Sequence, residues 1–128
     1  MKTSSALTQL SLLLTMLSLT GCVAVLAGGA AAGTVAYIRG DLQAVVESNI
    51  DRTGNAVQRA ARDLELIAVS DAKDQTSAKY IFRTATDRKV EVNLKHATDR
   101  TTNLSIRVGI FGDETLSRQF YDRIRARL

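Results

Sequence analysis

Four short segments in the second half of the chain have the pattern of strands, and their spacing constrains the fold more than any other feature. The first is a short apolar run, and the others alternate apolar with polar side chains, as strands with one buried face do. They span residues 65–70, 79–85, 90–95 and 103–108. The polar turns between them, at 71–77, 86–88 and 97–102, are too short for the crossover helices that parallel strands need. We therefore predict an antiparallel sheet.

A further strand and a helix precede these segments. Residues 38–47 also alternate, which predicts a half-buried strand. Ser48 is then a candidate N-cap with Asp51 three residues later, and apolar residues follow at helical spacing over about 49–63. A single helix over 41–64 fits the same apolar stripe. We favour the strand followed by the helix.

The last segment is a predicted helix with Asp113 as its cap. Leu116, Phe120 and Ile124 recur every four residues, as on one face of a helix. Glu114 at its start and arginines at its end complement the helix dipole. The order strand, helix, four strands, helix predicts an α+β domain, with an antiparallel sheet of about five strands and both helices on one face.

Length, charge and cysteine content limit the classes of protein. The 128 residues are enough for one domain. The formal net charge is +4 for the whole chain, from 17 basic and 13 acidic residues. That excess is small, whereas a nucleic-acid binder usually shows a stronger, clustered excess of basic residues, so we predict no nucleic-acid partner. The single cysteine excludes an internal disulfide.

The first 21 residues have the pattern of a bacterial lipoprotein signal. Lys2 precedes an uncharged, Leu-rich run over residues 6–20. The run ends in Leu-Thr-Gly-Cys, which resembles the lipobox. The resemblance implies cleavage between Gly21 and Cys22, a diacylglycerol on the Cys22 thiol and a further acyl chain such as palmitate on the new amine. An uncleaved transmembrane helix is the alternative, because residues 3–38 carry no charge.

The residues after the cysteine predict a destination and a tether. Val23 stands where an Asp retains enterobacterial-type lipoproteins in the inner membrane, so we predict the periplasmic face of the outer membrane, with the inner membrane as alternative. Residues 22–33 comprise the lipidated Cys and an apolar Gly/Ala tether. A helix-pairing segment is also open, because Gly29 and Gly33 fit the small-xxx-small pattern. Residues 34–128 form the predicted periplasmic domain.

The predicted domain offers few groups for catalysis. His96 is the only histidine and has no evident nucleophile beside it in the sequence. The acidic pairs are Asp71 with Asp74, assigned to a turn, and Asp113 with Glu114, assigned to a helix start. No phosphate loop, Gly-x-Ser-x-Gly elbow or metal-spaced His/Cys cluster appears. We predict that the protein is not an enzyme and holds no cofactor or metal.

Two features are candidate contact surfaces. Phe111 lies between Gly109 and Gly112 at the predicted junction of the last strand and helix. It is either an inward-packed latch or an exposed anchor for a partner. The arginines of the last helix, with Arg118 and Arg123 as the candidate partner-binding residues, are either a solvated face or a contact for anionic lipid or cell-wall polymer.

Three stretches carry a resemblance to a known family. They are V-A-Y-I-R-G-D-L at 35–42, the helix start at Ser48, and I-R-V-G-I-F-G-D-E-x-L-S-R at 106–118. Together they resemble short proteobacterial lipoproteins classed as domain of unknown function 3568. The resemblance covers most of the chain after the signal. It implies a lipoprotein and supplies no mechanism, because that family has no assigned activity.

The leading hypothesis is a lipid-anchored envelope lipoprotein with a small periplasmic binding or structural module. Its expected partners are the membrane, through the N-terminal acyl chains, and another envelope protein or cell-wall polymer. The alternative is a small-ligand or lipid carrier with a cavity between sheet and helices. A hydrolase that uses His96 or Asp113 is the third hypothesis.

Overall fold

Six strands and two helices make up residues 34–128, the part of the chain that the computed structural model describes. The elements in chain order are β1 (Val35–Ile38), β2 (Asp41–Val46), α1 (Ile50–Asp63), β3 (Ile67–Lys73), β4 (Ser77–Arg83), β5 (Lys89–Thr98), β6 (Thr101–Val108) and α2 (Glu114–Ala126). The strands form one antiparallel sheet in the order β1-β2-β6-β5-β4-β3. The predicted fold class and element order are confirmed.

The sheet has six strands rather than about five, because the predicted first strand is a hairpin. Arg39 and Gly40 form its two-residue turn, with φ of 53° and 88°. Positive φ at both central residues is typical of tight hairpin turns, since their twist matches that of the strands. The sequence did not reveal this turn, because Ile38 and Gly40 fit the even-numbered apolar positions of β2. Because of the turn, Ile38 does not share a face with Leu42, which faces Tyr37 across the hairpin instead.

The core lies on one face of the sheet, beneath both helices. Leu42, Ile106, Val92 and Tyr80 form one row across four strands, all buried. Helix α1 packs over β3 to β6, α2 packs over β2 and β6, and the helices contact each other. The prediction that both helices cover one face is confirmed, and the strand at Asp41–Val46 excludes the single long helix.

Polar side chains fix the starts of both helices. Asn49, rather than the predicted Ser48, is the N-cap of α1, and its Oδ1 accepts a hydrogen bond from the backbone N–H of Arg52 at 2.8 Å. This bond satisfies one of the amides that lack a partner in the first turn. Asp113 caps α2 as predicted, accepting from the N–H of Leu116 at 3.0 Å.

Strand β3 is one edge of the sheet and is exposed along its length. It begins later than the predicted segment and runs to Lys73, so Asp71 lies in a strand and not in a turn. A register shift between Ala68 and Ser70 leaves Val69 as the extra residue of a bulge. Bulges and charged residues are common at edges, because they discourage pairing with another chain.

The predicted signal and tether lie outside the described residues. Cys22, Gly21 and the segment 22–33 belong to that part of the chain. Within residues 34–128, neither helix has the length and apolarity that a bilayer span requires.

Candidate functional site

The loop between β6 and α2 exposes two large apolar side chains side by side. Ile110 is 84% exposed and Phe111 is 91% exposed. We call this pair the apolar tip. The inward latch is therefore wrong for Phe111, because its side chain packs against nothing in the domain core. The partner-anchor interpretation stays a prediction.

Two glycines bring the tip loop against the β1–β2 turn. Gly112 has a φ of 86°, and a Cβ built on it would lie 2.5 Å from the Cα and 2.6 Å from the O of Gly40. It would also meet the hydroxyl of Tyr37. A Cβ on Gly40 would in turn lie 2.8 Å from the carbonyl oxygen of Phe111. The two backbones are thus packed more closely than any side chain would permit.

Arg107 ties this loop and turn together from the open face of the sheet. Its Nε donates to Oδ1 of Asp41 at 2.7 Å, and its Nη2 donates to Oδ2 at 3.2 Å. Nη1 donates to the carbonyl of Ile110 and Nη2 to that of Arg39, both at 3.0 Å. The hydrogen bonds with Asp41 raise the pKa of the Arg107 guanidinium above its ordinary value. One side chain therefore positions the hairpin turn and the apolar tip.

A second ion pair fixes the other side of the loop. Nη1 of Arg88, in the β4–β5 turn, lies 3.0 Å from Oδ2 of Asp113. The N–H of Leu116 and, after it, Arg88 lower the pKa of the Asp113 carboxyl. Asp113 thus joins the start of α2 to a neighbouring turn while it caps the helix.

The surroundings of the apolar tip are charged but nearly neutral overall. A groove of about 670 Å³ runs beneath the tip, between the β4–β5 turn and the loop. Around it are five basic residues (Arg39, Arg83, Arg88, Lys89, Arg107) and four acidic residues (Asp41, Asp87, Glu91, Asp113). Most of these charges are paired. The net charge of these nine residues is +1.

Glu91 is the most strongly perturbed acid on the open face. Its Oε2 lies 2.9 Å from Nζ of Lys89, and its Oε1 lies 3.1 Å from Nζ of Lys79. Nδ2 of Asn93 also donates to Oε1 at 3.1 Å. The hydrogen bond from Lys89, followed by that from Asn93, lowers the pKa of Glu91 to about 2.

The structure places Arg118 and Arg123 at different levels of α2. Nε of Arg118 donates to Oε1 of Glu114 at 2.9 Å, one turn earlier on α2. Arg123 lies in the last turn, roughly 14 Å along the helix axis from Glu114 at 1.5 Å per residue. The hydrogen bond from Arg127 lowers the pKa of Asp63, and the positive charge of Arg123 adds a smaller contribution in the same direction.

The remaining candidates are separated along the sheet. His96 is in the last part of β5, where its Nε2 lies 3.6 Å from Oδ1 of Asp99. Asp74 accepts from the N–H of Gln75 at 2.7 Å in the β3–β4 turn. Among residues 34–128, no three His, Cys, Asp or Glu side chains are grouped so as to hold a metal ion.

Comparison with known proteins identifies the family. The family model described as "Protein of unknown function (DUF3568)" matches residues 5–127. The chain belongs to this family. The DUF3568 match includes the hairpin turn at Arg39–Gly40, Arg107 and the apolar tip, and the expected membership of domain of unknown function 3568 is confirmed. No curated protein matches the chain.

Proposed function

We propose that the chain is a lipid-anchored lipoprotein of the bacterial envelope, whose domain is a non-enzymatic binding module with the apolar tip as its contact surface. The observation that supports this most directly is the exposure of Ile110 and Phe111, at 84% and 91%, on a loop held in one position.

Exposure of this kind is unfavourable unless something covers the side chains. Single apolar residues on a surface are normal, but an adjacent pair at the end of a loop presents a continuous apolar area to water. Ile38, directly before the turn that contacts the loop, is a further exposed apolar residue, at 49%. Aromatic anchors at the centre of a contact supply a large share of binding energy. The tip therefore has the properties of a binding surface.

The anchor rests on Cys22 and the apolar run before it. Two or more acyl chains hold a protein on a membrane far more stably than one, because each buried methylene contributes about 0.8 kcal/mol. With Val23 after the cysteine, the proposed location is the periplasmic face of the outer membrane.

The anchor is tested by labelling cells with a radioactive fatty acid. Cys22→Ser should abolish both the label and the cleavage of the signal, whereas Thr20→Ala, which keeps a small residue, should retain both. Undiminished labelling of Cys22→Ser would show that the anchor is assigned to the wrong residue. Val23→Asp should move the protein to the inner-membrane fraction if the sorting assignment is right.

The contact surface is tested by photocrosslinking in intact cells. A photoreactive phenylalanine analogue at Phe111 should form adducts with envelope components. The same analogue at Gln75, an exposed residue in the β3–β4 turn at the opposite end of the sheet, is the matched control. Equal adduct yields at the two positions would contradict a contact surface at the tip.

A second candidate function is carriage of a small apolar ligand. A groove of about 330 Å³ opens between α1 and β3, with Leu66, Ala68, Val69 and Phe82 among its lining residues. A fluorescent fatty acid should then bind saturably, and Ala68→Phe, which fills the groove, should abolish the binding. Lack of saturable binding to the unaltered protein would exclude the carrier.

A further inference from the structure

We infer that the apolar tip inserts into the surface of a lipid bilayer, so that the domain docks on the membrane at a second point besides its acyl anchor. The inference rests on the proposed function, which brings the domain to a membrane, and it names the component that covers the tip.

The shape of the tip suits a fluid apolar layer. Ile110 and Phe111 project from the loop with nearly all of their surface free, so most of their apolar area lies outside the groove that they help to line. A bilayer interface accepts projecting apolar side chains without a complementary shape, because its acyl chains rearrange around them.

The backbone hydrogen bonds of the loop point to the same environment. Polar backbone groups that enter a bilayer need partners within the protein, because lipid tails offer none. The carbonyl of Ile110 already accepts from Arg107, as does that of Arg39 in the adjacent turn. The N–H of Gly109 donates to the carbonyl of Lys89 at 2.7 Å. The carbonyl of Ile110 and the N–H of Gly109 are therefore satisfied within the protein, without water.

Charge at the tip indicates that apolar insertion dominates over attraction to anionic headgroups. Long basic side chains around the tip, such as Arg39, Arg88 and Lys89, can keep their charged ends among headgroups while their stems lie in the interface. The net charge there is only +1, however, because four acidic residues accompany the five basic ones. Docking should therefore depend only weakly on anionic lipid.

The position of β1 permits both contacts at once. The strand begins at Val35 and ends at Ile38, beside the turn that contacts the tip loop, so its start lies within about 10 Å of that turn at 3.4 Å per residue. The proposed anchor residue, Cys22, precedes the strand by 13 positions. A chain of that length can span up to about 40 Å, so it leaves the tip free to reach the same leaflet.

The experiment uses tryptophan fluorescence, since the sequence contains no tryptophan. Phe111→Trp places a single fluorophore at the tip of the full-length acylated protein, which is reconstituted in phosphatidylethanolamine–phosphatidylglycerol vesicles. We expect its emission to shift to shorter wavelength and to be quenched by brominated acyl chains. Gln75→Trp, at the other end of the sheet, is the control and should keep the emission of a water-exposed indole.

Two further measurements test whether docking depends on apolar side chains at the tip and not on anionic lipid. Ile110→Ser in the Phe111→Trp background should reduce the docked fraction, whereas Val69→Ser, at a 54% exposed position on the β3 edge, should not. Replacing the anionic lipid by phosphatidylcholine should change the docking equilibrium by no more than about fivefold, as expected for one net charge.

The outcomes separate this inference from the proposed function. An unshifted, unquenched Phe111→Trp signal in vesicles that carry the acylated protein would overturn bilayer docking. If the signal then shifted on addition of a purified envelope-protein fraction, the tip would be a protein contact, and the proposed function would stand without this inference. Failure of acylation at Cys22 would overturn the anchor alone, because co-sedimentation of the non-acylated protein with vesicles still reports on the tip.

Discussion

Replacement of Gly112 by alanine tests the close packing of the tip loop on the hairpin turn. The new Cβ would stand 2.5 Å from the Cα of Gly40, which is backbone and cannot rotate away. Gly109, in the same loop, is the matched control: it also has a positive φ, of 69°, but a Cβ there would find only the side chain of Arg88 at 3.7 Å or beyond. Both substitutions therefore force an alanine into a left-handed backbone conformation, but only Gly112→Ala also places a Cβ against backbone atoms.

The magnitudes follow from these two terms. A left-handed backbone costs an alanine about 1–2 kcal/mol, and both variants incur this loss. Overpacking against an unyielding neighbour costs about 1–3 kcal/mol more, and only Gly112→Ala incurs it. The loss of unfolded-state entropy that accompanies any Gly→Ala change stabilises both variants equally and cancels in the comparison. We expect Gly112→Ala to lower the free energy of unfolding by about 2 kcal/mol more than Gly109→Ala.

Urea unfolding followed by circular dichroism measures the difference. The midpoint should fall further for Gly112→Ala at an unchanged m-value, and the Tm should be lower by roughly 10 °C than that of Gly109→Ala. Gly40→Ala combined with Gly112→Ala should cost less than the sum of the two, because both disrupt one contact. Equal midpoints for the Gly112 and Gly109 variants would refute the packing argument.

Three other substitutions probe the open face, the core and a helix cap. The pKa of Glu91 is about 2 in the folded protein, below its unfolded value. Its hydrogen bond with Lys89 therefore stabilises the fold above pH ~4.5, and this contribution is lost as the pH falls toward 2. Glu91→Gln should flatten the dependence of unfolding free energy on pH over that range. Phe120 is fully buried, and Phe120→Ala should cost about 3–5 kcal/mol in chemical denaturation, whereas Gln119→Ala, at the exposed neighbouring position, should be nearly neutral. Asn49→Ala should cost about 1 kcal/mol through loss of the N-cap, and Asn49→Asp should restore most of it; a full cost for the Asp variant would argue against capping.

The sequence predicted those helices and strands in which apolar side chains recur at a constant spacing along the whole element. Helix α2 follows from Leu116, Phe120 and Ile124, and the structure buries the last two of them completely. Strand β5 follows from its alternation, although its final residues, which are exposed, give no such signal. The β1–β2 turn was missed because β1 is apolar throughout, so Ile38 fitted the even-numbered apolar positions of β2 although the turn places it on the other face.

The candidate site was only partly predictable. The two glycines around Phe111 indicated an unusual loop, but whether that side chain points inward depends on the neighbouring hairpin turn. Arg107 had the appearance of an ordinary polar position on a strand, since Asp41, its main partner, is 66 residues away in the chain. The signal that could have revealed it is charge complementarity between two strands, which requires knowing that they are neighbours. Arg118 and Arg123 were candidates because of the basic composition of α2, and at 1.5 Å per residue they lie about 7.5 Å apart along the helix axis.

The pairing of β2 with β6 makes the completion of this domain depend on its final third. The β1–β2 hairpin can pair with β6 only after residues 101–108 have been synthesised. Until that point Asp41 has no ion pair with Arg107. Until then the edge of β2 that faces β6 has unpaired N–H and C=O groups, which can pair with a strand of another chain. A chain that crosses a membrane from its amino end would emerge with this border uncovered, and a holding chaperone on the far side would have its greatest effect during that interval.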